Sequence, residues 1–459
     1  MSVLTWTQDP PLLGVPMSER LRRVRASHHG MWNYVTYRDA IALLDLDPDA
    51  IYPHGGTRLD PSAWVDLGWL TCFCGPPASA LEAMRSAATA ESLNQYTPDL
   101  IEPLRDAAAT AFGRARDERF EVVGTEGAQA AIALALMASV DPGDEVIVSD
   151  PGYFHIPSAV LATGGVPVAV PIGPATAFRL DPDDVRRAIT PRTRAICIVD
   201  PVNPYGSVQT RDELAALAEL ADRHGALLIH DVTHAPLALD TDTPFLSLPA
   251  MELTGNAVAA LSVSHCYGMA GARIGFLGGP AGFVRGCLQL KAALTRLNTN
   301  LVSQHGALAA LADRDYLASA QRTIVANLAH LEQTLAGVPG ARLAVRPKRG
   351  LACAVDVSGT GASAQELMVA LFARRVAVYP GDGLGDNAAA NTIRLNLSRP
   401  DPRAMEHLRD VLAEAVAEAA SGRWRVAVVS LLGRKGTERA RRLAEQIKER
   451  ACGHREESL

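Results

Sequence analysis

Lysine is nearly missing from this chain: of 44 basic residues only Lys291, Lys348, Lys435 and Lys448 are lysines, the rest being arginine. Chemistry that needs a side-chain amine must therefore draw on four positions. Cysteine is sparse and odd in number, and Cys72, Cys74, Cys197, Cys266, Cys287, Cys353 and Cys452 are dispersed. They do not form the framework of a secreted disulfide scaffold. The opening residues, MSVLTWTQDPPLLG, lack the basic and apolar regions of a secretory leader, so reduced thiols in a cytoplasmic protein are expected. Long apolar runs are also absent. AAIALALMASV and AVAALSVS fall short of the ~20 residues that span a bilayer, which excludes a membrane segment. An excess of positive charge is missing too: 44 basic against 50 acidic residues leave a formal net charge of −6, and nucleic acid is not an expected partner. No internal repeat and no low-complexity segment is found.

What is present suits a large folded protein. Over 459 residues, 48% are apolar and 20% charged, ordinary globular values. One core rarely serves more than about 250–300 residues, so two lobes, or one large domain with additions, are expected. Residues 1–65 read as an arm rather than a domain, rich in Pro and Gly around one amphipathic stretch, RDAIALLDLD. Over 66–290, the apolar runs EVIVSD, PVAVPI, RAICIVD, ALLIHD, AALSVS and ARIGFLGG alternate with helical periodicity such as TRDELAALAELADRHG. Continuous Val/Ile/Leu strands joined by helices predict an α/β large domain, its mostly parallel sheet covered by helices on both faces. Residues 291–420 switch to long helices and then short strands (LACAVDV, RVAVYPG, TIRLNLS), predicting a smaller α+β domain. The extension 421–459 reads as a strand, RVAVVSLL, followed by a charged helix, TERARRLAEQIKER.

Ligands of open α/β sheets bind beyond the carboxyl ends of the strands. The polar residues there fall into an ordered set: Glu126-Gly127-Ala128-Gln129 at a helix start, then Asp150-Pro151-Gly152-Tyr153, then Asp200-Pro201-Val202-Asn203-Pro204-Tyr205-Gly206. His230-Asp231-Val232-Thr233-His234 follows, and Ser262-Val263-Ser264-His265-Cys266-Tyr267-Gly268-Met269-Ala270-Gly271-Ala272-Arg273 closes it. A helix N-terminus offers free amides to a phosphate. A carboxylate, Asp231, stands at a strand end, and an arginine inside an apolar strand, Arg394 in NTIRLNLS, presents a planar fork to a carboxylate.

Taken in order, these motifs resemble the class I/II aminotransferases, fold-type-I enzymes that use pyridoxal 5′-phosphate, over roughly residues 66–420. The resemblance implies a homodimer with sites at the subunit interface and a small amino-acid-like carboxylate as substrate. It further implies that Gly127, Ala128, Ser262, Ser264 and Arg273 hold the phosphate and that Tyr153 stacks on the pyridine ring. Asn203 would donate to the ring oxygen, Asp231 would pair with the ring nitrogen, and Tyr96, in LNQYTPD, would reach a phosphate across the interface. Arg394, with Asn203 beside it, would hold the substrate.

The chain departs from the family in three places. The lysine that carries the cofactor is His265, and no lysine lies within twenty residues of it. The tyrosine expected at the ring oxygen is His234, and the segment near Tyr96 lacks a glycine and is one residue short. An imidazole cannot bind the cofactor covalently, so pyridoxal or pyridoxamine 5′-phosphate is expected to be held noncovalently. With an ordinary pKa near 6.5, His265 reads as an acid/base at the substrate carbon, with Asp231 and Tyr153 completing the catalytic set. A ketodeoxysugar dehydratase branch of the same fold also carries histidine there. The expected function is an aminotransferase-like reaction in specialised biosynthesis. The alternatives are a lysine-independent dehydratase, decarboxylase or replacement enzyme, a ligand-binding pseudoenzyme, and an engineered change in an ordinary transaminase. No metal site is expected: His230 and His234 straddle the strand end, and Cys72 and Cys74 are too close for a zinc knuckle.

Overall fold

The computed structural model describes residues 18–26, 34–52, 59–240, 242, 244, 246–252, 255–385 and 391–456. Seven strands build the main sheet: β1 (Phe120–Thr125), β2 (Glu145–Asp150), β3 (Val166–Pro171), β4 (Thr193–Val199), β5 (Leu227–Asp231), β6 (Ala257–Ser262) and β7 (Gly275–Pro280). Their spatial order is β1-β7-β6-β5-β4-β2-β3. Every neighbour pair from β6 to β3 is parallel, and β7 alone is antiparallel to its neighbours. Strands β4, β5 and β6 are buried along almost their whole length, which is why they are written in Ile, Val, Leu and Ala without polar alternation. Two apolar clusters flank the sheet, one around Ile132, Val148, Cys197 and Ile229, the other around Ile196, Ile198, Leu217 and Leu228. The mostly parallel α/β fold read from the sequence is the one observed.

A four-stranded antiparallel sheet follows, in the order Tyr379–Pro380, Thr392–Asn396, Ala352–Asp356, Arg342–Leu343. The long helix Arg314–Ala336 precedes it in the chain and Arg403–Ala420 follows. Within the arm, the amphipathic stretch forms the helix Tyr37–Leu43, closed by a capping box between Thr36 and Asp39.

The extension differs from expectation. RVAVVSLL is not a strand: Arg425–Lys435 is helical, with Val428 and Leu432 buried and Val426 exposed. Burial four residues apart is one helix face, and it packs toward the helix Ala364–Ala373, where Arg425 Nε donates to Glu366 Oε1 at 3.1 Å. Tertiary burial overrides the β-branched bias of the segment. The charged helix is present as Glu438–Glu456. Cys72 and Cys74 lie in an irregular turn segment before the helix Ala78–Ala87. The six described cysteines are free thiols, and no described helix is long and apolar enough to cross a membrane.

Candidate active site

The polar strand ends converge on one cavity of about 210 Å³ lined by Ala128, Gln129, Tyr153, Val199, Asn203, Asp231, Thr233, His234, Ser262, Ser264, His265, Ala270 and Arg273. At one end, Gly127 caps the helix Ala128–Ser139 with φ +94°, a backbone that disfavours any side chain. A Cβ there would also lie 2.5 Å from Arg273 Nη2, and one on Gly275 would lie 2.7 Å from the Ala128 nitrogen. Two glycines thus let strand β7 and Arg273 close on the helix start. Arg273 itself sits at φ +56°, strained for a non-glycine, and its guanidinium donates to the Glu126 carbonyl at 2.5 Å and the Ala270 carbonyl at 3.0 Å. Ser262, the last residue of β6, and Ser264 join this end. Amides at a helix start, two hydroxyls and a guanidinium make a set suited to a phosphate dianion.

At the other end Asp231 closes β5. Burial pushes its carboxyl above the usual range, opposed by hydrogen bonding from Thr233, whose N–H donates to Oδ1 at 3.0 Å. The neighbouring His230 is not part of the cavity lining; it is fully buried, and its Nε2 lies 3.2 Å from Asp200 Oδ2. Asp200 in turn accepts from the Gln209 amide at 3.1 Å and donates its own amide to the Asp231 carbonyl at 2.8 Å. His230 and Asp200 thereby fix the loop that delivers Asn203. Asn203 Oδ1 and His265 Nδ1 are buried in this cavity wall without a hydrogen-bond partner. Buried polar atoms are normally paired, so two orphans in one cavity mark a place for a polar ligand.

His265 and His234 stack at 4.5 Å between ring centroids. The sequence suggested an ordinary imidazole, but burial first, then the cations Arg394 and Arg273, push His265 down to about 4. Burial, His265 and Arg394 hold His234 well below its usual value as well. Both rings are neutral at pH 7, so His265 is a proton acceptor rather than a resident acid.

Arg394 does not line this cavity. It is 5% exposed in the strand Thr392–Asn396, with Nη2 donating to the Gly68 carbonyl at 2.7 Å and its guanidinium 4.4 Å from the Tyr379 ring centre. Its Nε has no partner. Tyr96 is likewise outside the cavity: it is 76% exposed and lies beneath Arg296 at 4.4 Å. None of the four lysines lines the cavity; Lys291 Nζ is committed to the Gly124 and Leu297 carbonyls, each at 2.8 Å. Sequence reading missed Gln129 and Thr233 in the cavity, and missed Tyr34, Tyr37 and Tyr379 around Arg394. Thr233 was detectable as the residue two beyond a strand-end aspartate, an Asx-turn spacing. The tyrosines, distant in sequence, gave no local signal.

Residues 68–412 match the family profile described as aminotransferase class I and II. The chain is similar to the aspartate/prephenate aminotransferase of Thermus thermophilus, 32% identical over 352 residues, covering 74% of this chain and 88% of that protein. It is similar to the arginine–pyruvate transaminase of Pseudomonas aeruginosa, 33% identical over 280 residues, covering 60% of this chain and 70% of that protein. Among solved structures, N-succinyldiaminopimelate aminotransferase from Mycobacterium tuberculosis aligns with a TM-score of 0.73 at 26% identity, covering 87% of this chain and all of that one.

Proposed function

Since this chain belongs to the class I and II aminotransferases, enzymes that use pyridoxal phosphate, we propose that it acts on a small amino acid or related carboxylate with the cofactor held noncovalently. The convergence of phosphate donors and a buried carboxylate on one cavity that no lysine lines carries this reading. Gly127 and Ala128 present amides to the phosphate, with Ser262, Ser264 and Arg273 around it. Tyr153 would lie against the ring, Asn203 and His234 would face the ring oxygen, and Asp231 would pair with the ring nitrogen. Unpartnered buried polar atoms in the cavity wall call for a polar ligand, which supports the fit. When bound, the cofactor supplies an electron sink for a bond broken at the substrate's α-carbon.

The protein's own residues do the rest. Asp231, costly to ionise when alone, is stabilised by a cationic ring nitrogen and so keeps that nitrogen protonated. His265, neutral at pH 7, accepts a proton from the substrate α-carbon and can return it. Arg394 takes the substrate carboxylate through its unpartnered Nε face. Leu93, Tyr96, Leu294 and Leu297 remain exposed, and Tyr96 packs with Arg296, an apolar face that supports a homodimer in which Tyr96 reaches the other subunit's phosphate. The reaction is amino-group transfer in specialised biosynthesis. The absence of a cavity lysine favours, as a second reading, lysine-independent dehydration, decarboxylation or replacement on the same cofactor.

The carboxylate role is tested at Arg394. Arg394→Ala is expected to weaken carboxylate substrates by about 1.5–3 kcal/mol, the range of a charged hydrogen bond, which is read as a roughly 10- to 150-fold rise in KM. An unchanged KM in the folded variant would place the carboxylate elsewhere.

A further inference from the structure

The family match spans 68–412, and the parts of the chain on either side of it meet each other. Lys435 Nζ, at the end of the helix Arg425–Lys435, lies 2.7 Å from Asp39 Oδ2 in a largely buried pair. The same carboxylate oxygen accepts from Thr36 N–H at 2.8 Å and Thr36 Oγ1 at 2.9 Å, so Lys435 grips the N-terminal cap of the helix Tyr37–Leu43. One residue before that cap, the Val35 amide donates to Gln365 Oε1 at 2.7 Å, and Gln365 Nε2 donates to Asp382 Oδ2 at 2.9 Å. Arg439, buried on the last helix, donates to the Asp382 carbonyl and to the Gly385 carbonyl, the latter at 2.6 Å.

Both gripped segments pack on Tyr379, whose ring covers Arg394; a Cβ on Gly383 would lie 2.7 Å from the Tyr379 hydroxyl. Tyr34 OH is 3.0 Å from Tyr379 OH, and the Tyr379 ring is the one that Arg394 stacks on. The Tyr37 hydroxyl is buried without a partner and approaches Gly68 so closely that it occupies the place a Cβ would take there; Gly68 is the residue whose carbonyl Arg394 contacts. On the other side, the Leu384 carbonyl accepts from the Gly152 amide at 2.9 Å, and a Cβ on Gly385 would lie 2.5 Å from Pro151 Cα. The 381–385 loop therefore packs directly on the turn that carries Tyr153.

We propose that Lys435 and Arg439, on the two C-terminal helices, are positioning residues that latch segment 34–39 and loop 381–385 over Arg394 and so shape the carboxylate subsite. The proposal rests on Arg394 as the carboxylate ligand. Tyr34, Tyr37 and Tyr379 supply hydroxyls and ring faces that orient the guanidinium, and the extension holds the elements that bear two of them from outside.

The test uses the full chain with cofactor added and maleate as a plain carboxylate probe. In Lys435→Met and Arg439→Met, amide hydrogen exchange over residues 34–40 is expected to quicken at least fivefold, and maleate affinity by calorimetry to fall about tenfold. Saturation with the cofactor should change little in variants that remain folded at the assay temperature, and Lys435→Arg should keep both readouts at their wild-type values. Unchanged exchange would remove the latch. Quickened exchange with unchanged maleate affinity, where Arg394→Ala loses affinity, would show that the latch does not serve the subsite and overturn the proposal. No maleate binding by the wild type, or unaltered affinity in Arg394→Ala, would overturn the carboxylate reading and this proposal with it, the exchange data separating the two failures.

Discussion

Replacing His265 by alanine is expected to lower turnover by about 10²- to 10⁴-fold, the usual weight of a positioned acid/base, while the cofactor still binds. The two halves of that result come from different parts of the site. Phosphate and ring are held by Gly127, Ala128, Ser262, Ser264, Arg273 and Asp231, none of which depends on the imidazole for its position. The proton, by contrast, falls to an imidazole of the stacked His265–His234 pair: Lys291 is committed to two carbonyls and no lysine lines the cavity. Because burial and nearby cations depress His265 to about 4, its neutral, proton-accepting form is retained well below pH 6.5. The acid limb of the kcat/KM profile should accordingly fall below 6.5, displaced toward 4, and vanish in His265→Ala. Equal rates in variant and wild type would remove His265 from the chemistry.

Asp231→Asn is expected to act in opposite directions on activity and on stability. Burial raises the Asp231 carboxyl above its unfolded-state value. A group shifted this way binds its proton more tightly when folded, so its contribution is favourable at low pH and is lost as pH rises through the folded value. Once ionised, the buried carboxylate is a burden on the cofactor-free protein. An amide of the same shape keeps the acceptor for the Thr233 N–H, at 3.0 Å, and removes the charge. The cofactor-free variant should therefore unfold at the same temperature as wild type or higher. Turnover should drop by about 10²- to 10⁴-fold, since removing one member of a buried ion pair costs roughly 3–5 kcal/mol. A variant that is both less stable and fully active would contradict the assignment. A residue that destabilises the empty fold yet supports chemistry is the pattern of a functional site.

Much of this was legible in the sequence, for a physical reason. A parallel sheet buried on both faces must be written in apolar runs, so each strand end is conspicuous where polar residues resume, and Asp150, Asp200, Asp231 and Ser262 mark four such ends. The ordered motifs locate the cavity, from Ala128 at the helix start to His265 and Arg273 beyond β6. What stayed hidden depends on contacts between distant segments. The depressed pKa of His265 comes from burial and from Arg394, 129 positions away in the chain. The tyrosines over Arg394 come from residues 34, 37 and 379, which share no local pattern. RVAVVSLL has strand composition, yet packed against Glu438–Glu456 and Ala364–Ala373 it is a helix carrying Lys435.

Whether this site takes pyridoxal phosphate without a lysine is decided most directly by one measurement, the visible absorption spectrum of the protein titrated with pyridoxal phosphate, recorded before and after borohydride reduction and gel filtration. Saturable binding, with the chromophore leaving on gel filtration whether or not borohydride was added, is the expected result. A chromophore that stays with the protein after reduction would mean that one of the four lysines reaches it, and no binding would mean that the cavity does not accept it; either would contradict a lysine-free cofactor site.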